Sequence, residues 1–128
     1  MHSRLLRLVG AATAGYGLAV TARPALLARP SGLVDAAGKV APDTETSLRP
    51  LAWRDAASGL AMVLAPDGAA LRLAALLRIA ADFGDAALLG STLPRERRAL
   101  AVAVSVGWGA LSVAGLLLPG PDEQADRR

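Results

Sequence analysis

Between Trp53 and Asp85, two strongly apolar segments carry Arg54, Asp55, Arg78, Asp82 and Asp85 inside otherwise oily sequence. Neighbouring residues supply no water-like surroundings, so these charges must face one another or a wet cavity. That requirement points to an integral membrane protein built from helices. Composition agrees. The chain has 128 residues, enough for one compact unit, and 53% of them are apolar. Only 3% are aromatic, so the apolar mass is Ala, Leu and Val. Small residues of this kind fill a soluble core poorly but pack transmembrane helices closely. Strand-type alternation is absent, and the expected fold is all-α.

The expected architecture is a four-helix transmembrane bundle in up-down order, spanning residues 1–120, with helices at about 4–22, 51–65, 69–92 and 97–118. The first apolar segment runs from Leu5 to Ala22 behind Arg4 and Arg7. Its length of roughly 27 Å suffices for a thin bilayer core. Ala11, Gly15 and Ala19 recur every fourth residue as a stripe for close helix packing. A competing reading is a signal peptide cleaved after Val20-Thr21-Ala22, against which Gly15-Tyr16-Gly17 sits awkwardly in a signal core. Arg23-Pro24 ends the segment, because proline disfavours helical geometry in the residue before it.

Pro24 to Pro50 reads as a long, proline-rich, solvated connection, with Asp35 and Lys39 placed for an i, i+4 pair if Leu33–Val40 turns helical. The second segment, Leu51 to Ala65, is short for a crossing. Ala65-Pro66-Asp67-Gly68 reads as a turn. It makes the second and third segments antiparallel neighbours. The third, Ala69 to Thr92, ends before the basic break Leu93–Arg98. The fourth, Ala99 to Leu118, holds no charge in twenty residues and is the clearest span. Ala101, Ser105 and Gly109 repeat the small-residue spacing there, and Trp108 lies in mid-segment, where it fills core space. Residues 121–128 are polar, with disorder expected.

On a helix, Arg78, Asp82 and Asp85 fall within about 60° of one face. Each central charge costs about 2.5–3.5 kcal/mol to insert, while each Leu or Phe returns about 0.3–0.6. The third segment is therefore expected to insert as a hairpin with the second, pairing Arg54 with Asp82 or Asp85, and Asp55 with Arg78. The cluster has two readings: glue that fixes helix register, or a polar cavity for a small ligand or a proton relay.

Other chemistry is thin. There is no cysteine, so no disulfide framework or thiolate is available. His2 is the only histidine and is placed in a frayed terminus. Ser58, Ser105 and Ser112 lack a histidine base. Two aspartates on one helix do not make a di-metal carboxylate site, and no phosphate loop or dinucleotide fingerprint is present. Neither catalysis, a cofactor nor a metal is expected. The net charge of +3 comes from arginines at segment ends without interleaved aromatics, which fits lipid headgroups and not nucleic acid. The expected partners are the lipid bilayer and a membrane protein or a second copy. The connections after the first and third segments carry seven Lys/Arg and the termini four. That count favours cytoplasmic connections, whereas Arg4 and Arg7 favour the opposite orientation.

Trp53-Arg54-Asp55-Ala56-Ala57-Ser58-Gly59-Leu60 also carries a resemblance. So do Gly15-Tyr16-Gly17 with Pro24, Gly32-Leu33, and Asp85 late in the third segment. In these features, up to about Leu118, the chain resembles a family of small bacterial integral membrane proteins of unknown function, related to the DoxX-like superfamily. The long first connection and Asp82 depart from that pattern. The resemblance implies a multi-pass protein of the bacterial inner membrane that retains its first helix. It does not carry over the redox or thiosulfate-related complexes of DoxX-like proteins, since cysteine and cofactor motifs are lacking. The charged cluster itself carries two expectations, a structural or accessory membrane subunit, or a small carrier or proton-linked permease; a third reading is a soluble Ala-rich bundle with one hydrophobic anchor.

Overall fold

The computed structural model describes residues 1–120, which form five helices and no strand. These are α1 (Ser3–Ala22), α2 (Ala25–Ala28), α3 (Pro42–Leu64), α4 (Ala69–Thr92) and α5 (Arg95–Leu117). The expected tail at 121–128 lies outside the described residues. The all-α expectation holds, and α4 has the bounds read from sequence. The end of α1 at Ala22, capped by Arg23, likewise follows the Arg23-Pro24 break.

Two expectations about the second segment and the connection before it need correction. The segment begins at Pro42, nine residues before Leu51, and a one-turn helix, α2, lies within the supposed connection. Pro42 takes the first helical position, where its missing N–H costs nothing. Asp43 and Glu45 in the first turn complement the helix dipole. Pro50, expected at the end of the connection, lies inside α3. An interior proline costs about 3 kcal/mol in an isolated helix. Here tertiary contacts flank it: Leu48 and Ala52 are buried, and Arg49 donates to the Thr21 carbonyl at the end of α1 at 3.0 Å. The rest of the connection is an exposed loop. Asp35 accepts from the Ala37 and Lys39 backbone N–H groups at 2.9 and 2.8 Å, so it closes a turn and does not pair with the Lys39 ammonium.

α1 packs most extensively on α3, and α4 on α5. α1 also meets α5, and α3 meets α4, so the four long helices close a ring. The short α3–α4 turn works as expected. Gly68 adopts φ +99°, and Asp67 binds Arg7 at 2.8 Å. Arg7 also donates to the carbonyls of Val63 and, at 2.9 Å, Ala65, satisfying orphan acceptors at the end of α3. Nothing local in sequence announces this cap. The terminus is also held: His2 accepts from Leu5 N–H through Nδ1 at 3.2 Å and donates its own N–H to the Gly115 carbonyl at 2.7 Å. It is not frayed.

The small-residue stripe of α1 lies on the opposite face from the one expected. Ala11, Gly15 and Ala19 are exposed, whereas Gly10 and Gly17 are buried against α3. A Cβ on Gly17 would lie 2.5 Å from Ala56 N, and one on Gly59 would lie 2.5 Å from both Ala14 N and the Gly10 carbonyl. The α1–α3 crossing is thus backbone against backbone, with runs at Gly10–Gly59 and Gly17–Ala56 showing the helices antiparallel. On α5 the expected stripe does turn inward. Ala101 and Ser105 are half-buried, and Gly109 is buried against the Phe83 ring. The half-buried Trp108 beside it has only part of its ring in the core.

These contacts make a sharp contrast between two glycines. Gly59→Ala should destabilise by about 1–3 kcal/mol, because the helices must separate. Gly15→Ala meets nothing within 4 Å and should stabilise by up to about 1 kcal/mol through helix propensity. Thermal unfolding of the purified variants, followed by circular dichroism, measures both.

Candidate functional site: an Arg/Asp cluster between two helices

The inward face of α4 is set by Leu71, Ala75, Arg78, Asp82 and Ala86, all buried. Their spacing of three or four residues is that of an apolar stripe, yet two members are charged. Arg78 and Asp82 are only 2% and 3% exposed, so both must find partners within the protein.

Arg78 donates to Asp55 Oδ1 at 2.8 Å and to Ser58 Oγ at 3.1 Å, both on α3. Its other terminal nitrogen donates to Asp82 Oδ1, one turn along α4. Ser58 in turn donates to the Asp55 carbonyl at 3.1 Å. Arg54 completes the cluster, reaching Asp85 Oδ2 at 2.7 Å and Asp55 Oδ1 at 3.2 Å. The structure therefore brings together all of Arg54, Asp55, Arg78, Asp82 and Asp85. Of the alternatives open for Arg54, it takes Asp85, and Asp55 pairs with Arg78 as expected. Asp55 is the hub, since one of its oxygens accepts from both arginines.

The geometry grades from sealed to open. The Arg78 and Asp82 side chains are 3% and 4% exposed, whereas those of Arg54 and Asp85 are 44% and 27% exposed. At the sealed end some polar atoms lack partners: Arg78 Nε, Asp82 Oδ2 and, on α5, Ser112 Oγ are buried without a hydrogen bond. The α4–α5 register places these at one level. Phe83 meets Gly109 and Gly90 meets Val102, so the helices run antiparallel and Ser112 stands opposite the turn between Arg78 and Asp82.

Ser58, which sequence reasoning considers only as a nucleophile, is a further member of the cluster; its place one turn after Arg54-Asp55 is the available signal. A cavity of about 590 Å³ runs between the end of α4 and the start of α5, past Ala86, Gly90, Arg95, Arg98 and Ala103, and none of the five cluster residues lines it. Among the described residues, no group of three His, Cys, Asp or Glu side chains is placed to hold a metal ion.

No protein-family model, curated protein or solved structure matches the chain. Among the residues singled out as motifs in the sequence, Gly17 and Gly59 form the tight α1–α3 crossing, and Arg54, Asp55 and Asp85 form ion pairs.

Truncating one member of the sealed pair leaves the other charged, buried and unpaired. Arg78→Leu should therefore cost about 3–5 kcal/mol, whereas Arg78→Leu combined with Asp82→Leu should recover much of that loss. Denaturant titration of wild type, single and double variants reads the difference directly.

Proposed function

We propose that the chain is a multi-pass helical membrane protein, an accessory subunit whose Arg/Asp cluster locks α3 to α4 and offers its open end to a partner. The observation that carries this reading is inverted polarity. Arg78 and Asp82 are buried, while Leu8, Leu64, Leu73, Leu77, Leu88, Leu100 and Leu117 are each at least 59% exposed. Large apolar side chains exposed on all four long helices suit a lipid-facing surface.

Two helices, α1 and α5, are long and apolar enough to cross a membrane. For α3 and α4 the same role rests on length and charge pairing. Their 23 and 24 residues reach about 35 Å, against a hydrocarbon core of about 30 Å. The charges that make each unfavourable alone are those that pair with each other across the α3–α4 contact. The order would then be up-down, with both helix-bearing ends on one side. The long burial of α1 against α3 favours a retained first helix.

Structural use is favoured over transport by the state of the cluster. Each carboxylate already holds an arginine, and the cavity is lined by none of the cluster residues. The open end carries the accessory role. Arg54 lies beside Trp53, which is 59% exposed, and an ion pair facing lipid at this depth is costly unless another protein covers it.

The test begins with carbonate extraction of membranes, in which the chain should stay in the pellet. Tagged wild type should then co-purify with a larger membrane complex, and Arg54→Leu should lose that association while remaining folded. Solute or proton flux in reconstituted liposomes that vanishes in Asp85→Asn would assign the carrier function instead.

A further inference from the structure

The groove between α4 and α5 has features that the cluster does not explain. Its floor is built from residues with little or no side chain: Ala86, Ala87 and Gly90 on α4, with Ala99 and Ala103 on α5. A facing pair of small-residue rows leaves a trough, and Val102 and Val106 form an apolar wall. The volume of about 590 Å³ lies within the roughly 300–1,000 Å³ typical of small-ligand sites. The trough is open along its length and faces outward, on a helix whose Leu100, Val104 and Leu111 are also exposed.

Only its end is polar, and that end is cationic. Arg95 and Arg98 line it. Arg98 donates Nε and one terminal nitrogen to the Leu93 carbonyl at 3.4 and 3.1 Å, which holds its guanidinium at the mouth and leaves its other terminal nitrogen free. Arg95 has no hydrogen-bond or ion-pair partner among the described residues. Glu96, the one acid in this turn, is not part of the lining. An open apolar trough with two guanidinium groups in its lining at one end suits a long hydrocarbon chain with an anionic head.

We infer that this groove binds an anionic phospholipid, one acyl chain lying along Ala86, Gly90, Ala99 and Ala103 and its phosphate held by Arg95 and Arg98. The inference rests on the membrane reading, which places Arg95 and Arg98 at the headgroup level, where α4 gives way to α5. Arginine suits a phosphate because its planar fork donates two parallel hydrogen bonds. The small-residue floor sets the chain's position, and the charge selects the headgroup.

The probes are phosphatidylglycerol and phosphatidylcholine with matched acyl chains, titrated onto the full chain in mild detergent and followed by native mass spectrometry. Phosphatidylglycerol should bind more tightly. Arg95→Gln, which breaks no contact within the protein, should weaken it roughly fivefold, and Arg95→Gln with Arg98→Gln roughly thirtyfold, with phosphatidylcholine little changed. Ala103→Leu, which fills the trough and keeps both arginines, should weaken both lipids. Equal binding of the two lipids, or phosphatidylglycerol binding unmoved by Arg95→Gln and Ala103→Leu, would overturn the inference while leaving a carbonate-resistant protein in the membrane class. A dimer that Ala103→Leu converts to monomer would assign the groove to a second copy and also overturn it. A carbonate-soluble chain would remove the membrane reading itself.

Discussion

The guanidinium of Arg78 is the point on which the arrangement of α3 and α4 depends. It is buried on the inward face of α4, and a cation there has no stable place without anions on two sides. One anion, Asp82, comes from its own helix at i+4 and is available wherever α4 forms. The other, Asp55, is on α3 and is available in one register only. Sliding α3 by a single turn would carry Asp55 about 5 Å away and leave Arg78 with Asp82 alone. Apolar contacts between Ala-rich helices are forgiving of such slips, since one small side chain replaces another at little cost. Ion pairing is not, and so a modest α3–α4 contact area can still fix their relation.

The α1–α3 contact solves the same problem by sterics. Where Gly10, Gly17 and Gly59 meet the opposite backbone, the helices approach too closely for any side chain to be inserted. Close approach increases the dispersion contact between the two backbones. One helix, α3, thus presents two kinds of specificity: glycine and alanine toward α1, and Arg54, Asp55 and Ser58 toward α4. It is the element that relates the α1 side of the ring to the α4 side.

Sequence makes the charged face of α4 legible because isolated charges in apolar helices must find partners, and Arg54 and Asp55 lie at a matching distance from the turn. The start of α3 was not legible. Pro50 is a sound stop signal by local rules, and tertiary contacts, among them Arg49 to the Thr21 carbonyl and the burial of Leu48, offset it. The choice of packing face on α1 was undetermined for a different reason. Both Ala11–Gly15–Ala19 and Gly10–Ala14–Gly17 are small-residue rows, and nothing within α1 distinguishes them. The deciding complement, Ala52, Ala56 and Gly59, is some forty residues away. The Arg7 cap on the end of α3 is equally non-local, and an arginine near a first helix reads by default as a topology signal.

If α3 and α4 cross a bilayer, as proposed above, the gradient along the cluster bears on how the chain would enter it. Arg78 and Asp82 lie near the middle of α4, where an unpaired charge costs the most. Their mutual i, i+4 contact needs no second helix, so α4 can reduce part of that cost before it meets α3. The remainder falls when Asp55 arrives, which makes joint insertion of α3 and α4 more favourable than sequential insertion. Arg54 and Asp85, nearer the surface of the helix pair, are the last to be covered, and the protein's own helices leave them half open. A cluster serving only the chain's internal register would gain by closing that end as well. The open end is thus the part of the cluster that the fold alone does not account for, and it is there that an outside partner would be energetically distinguished from lipid.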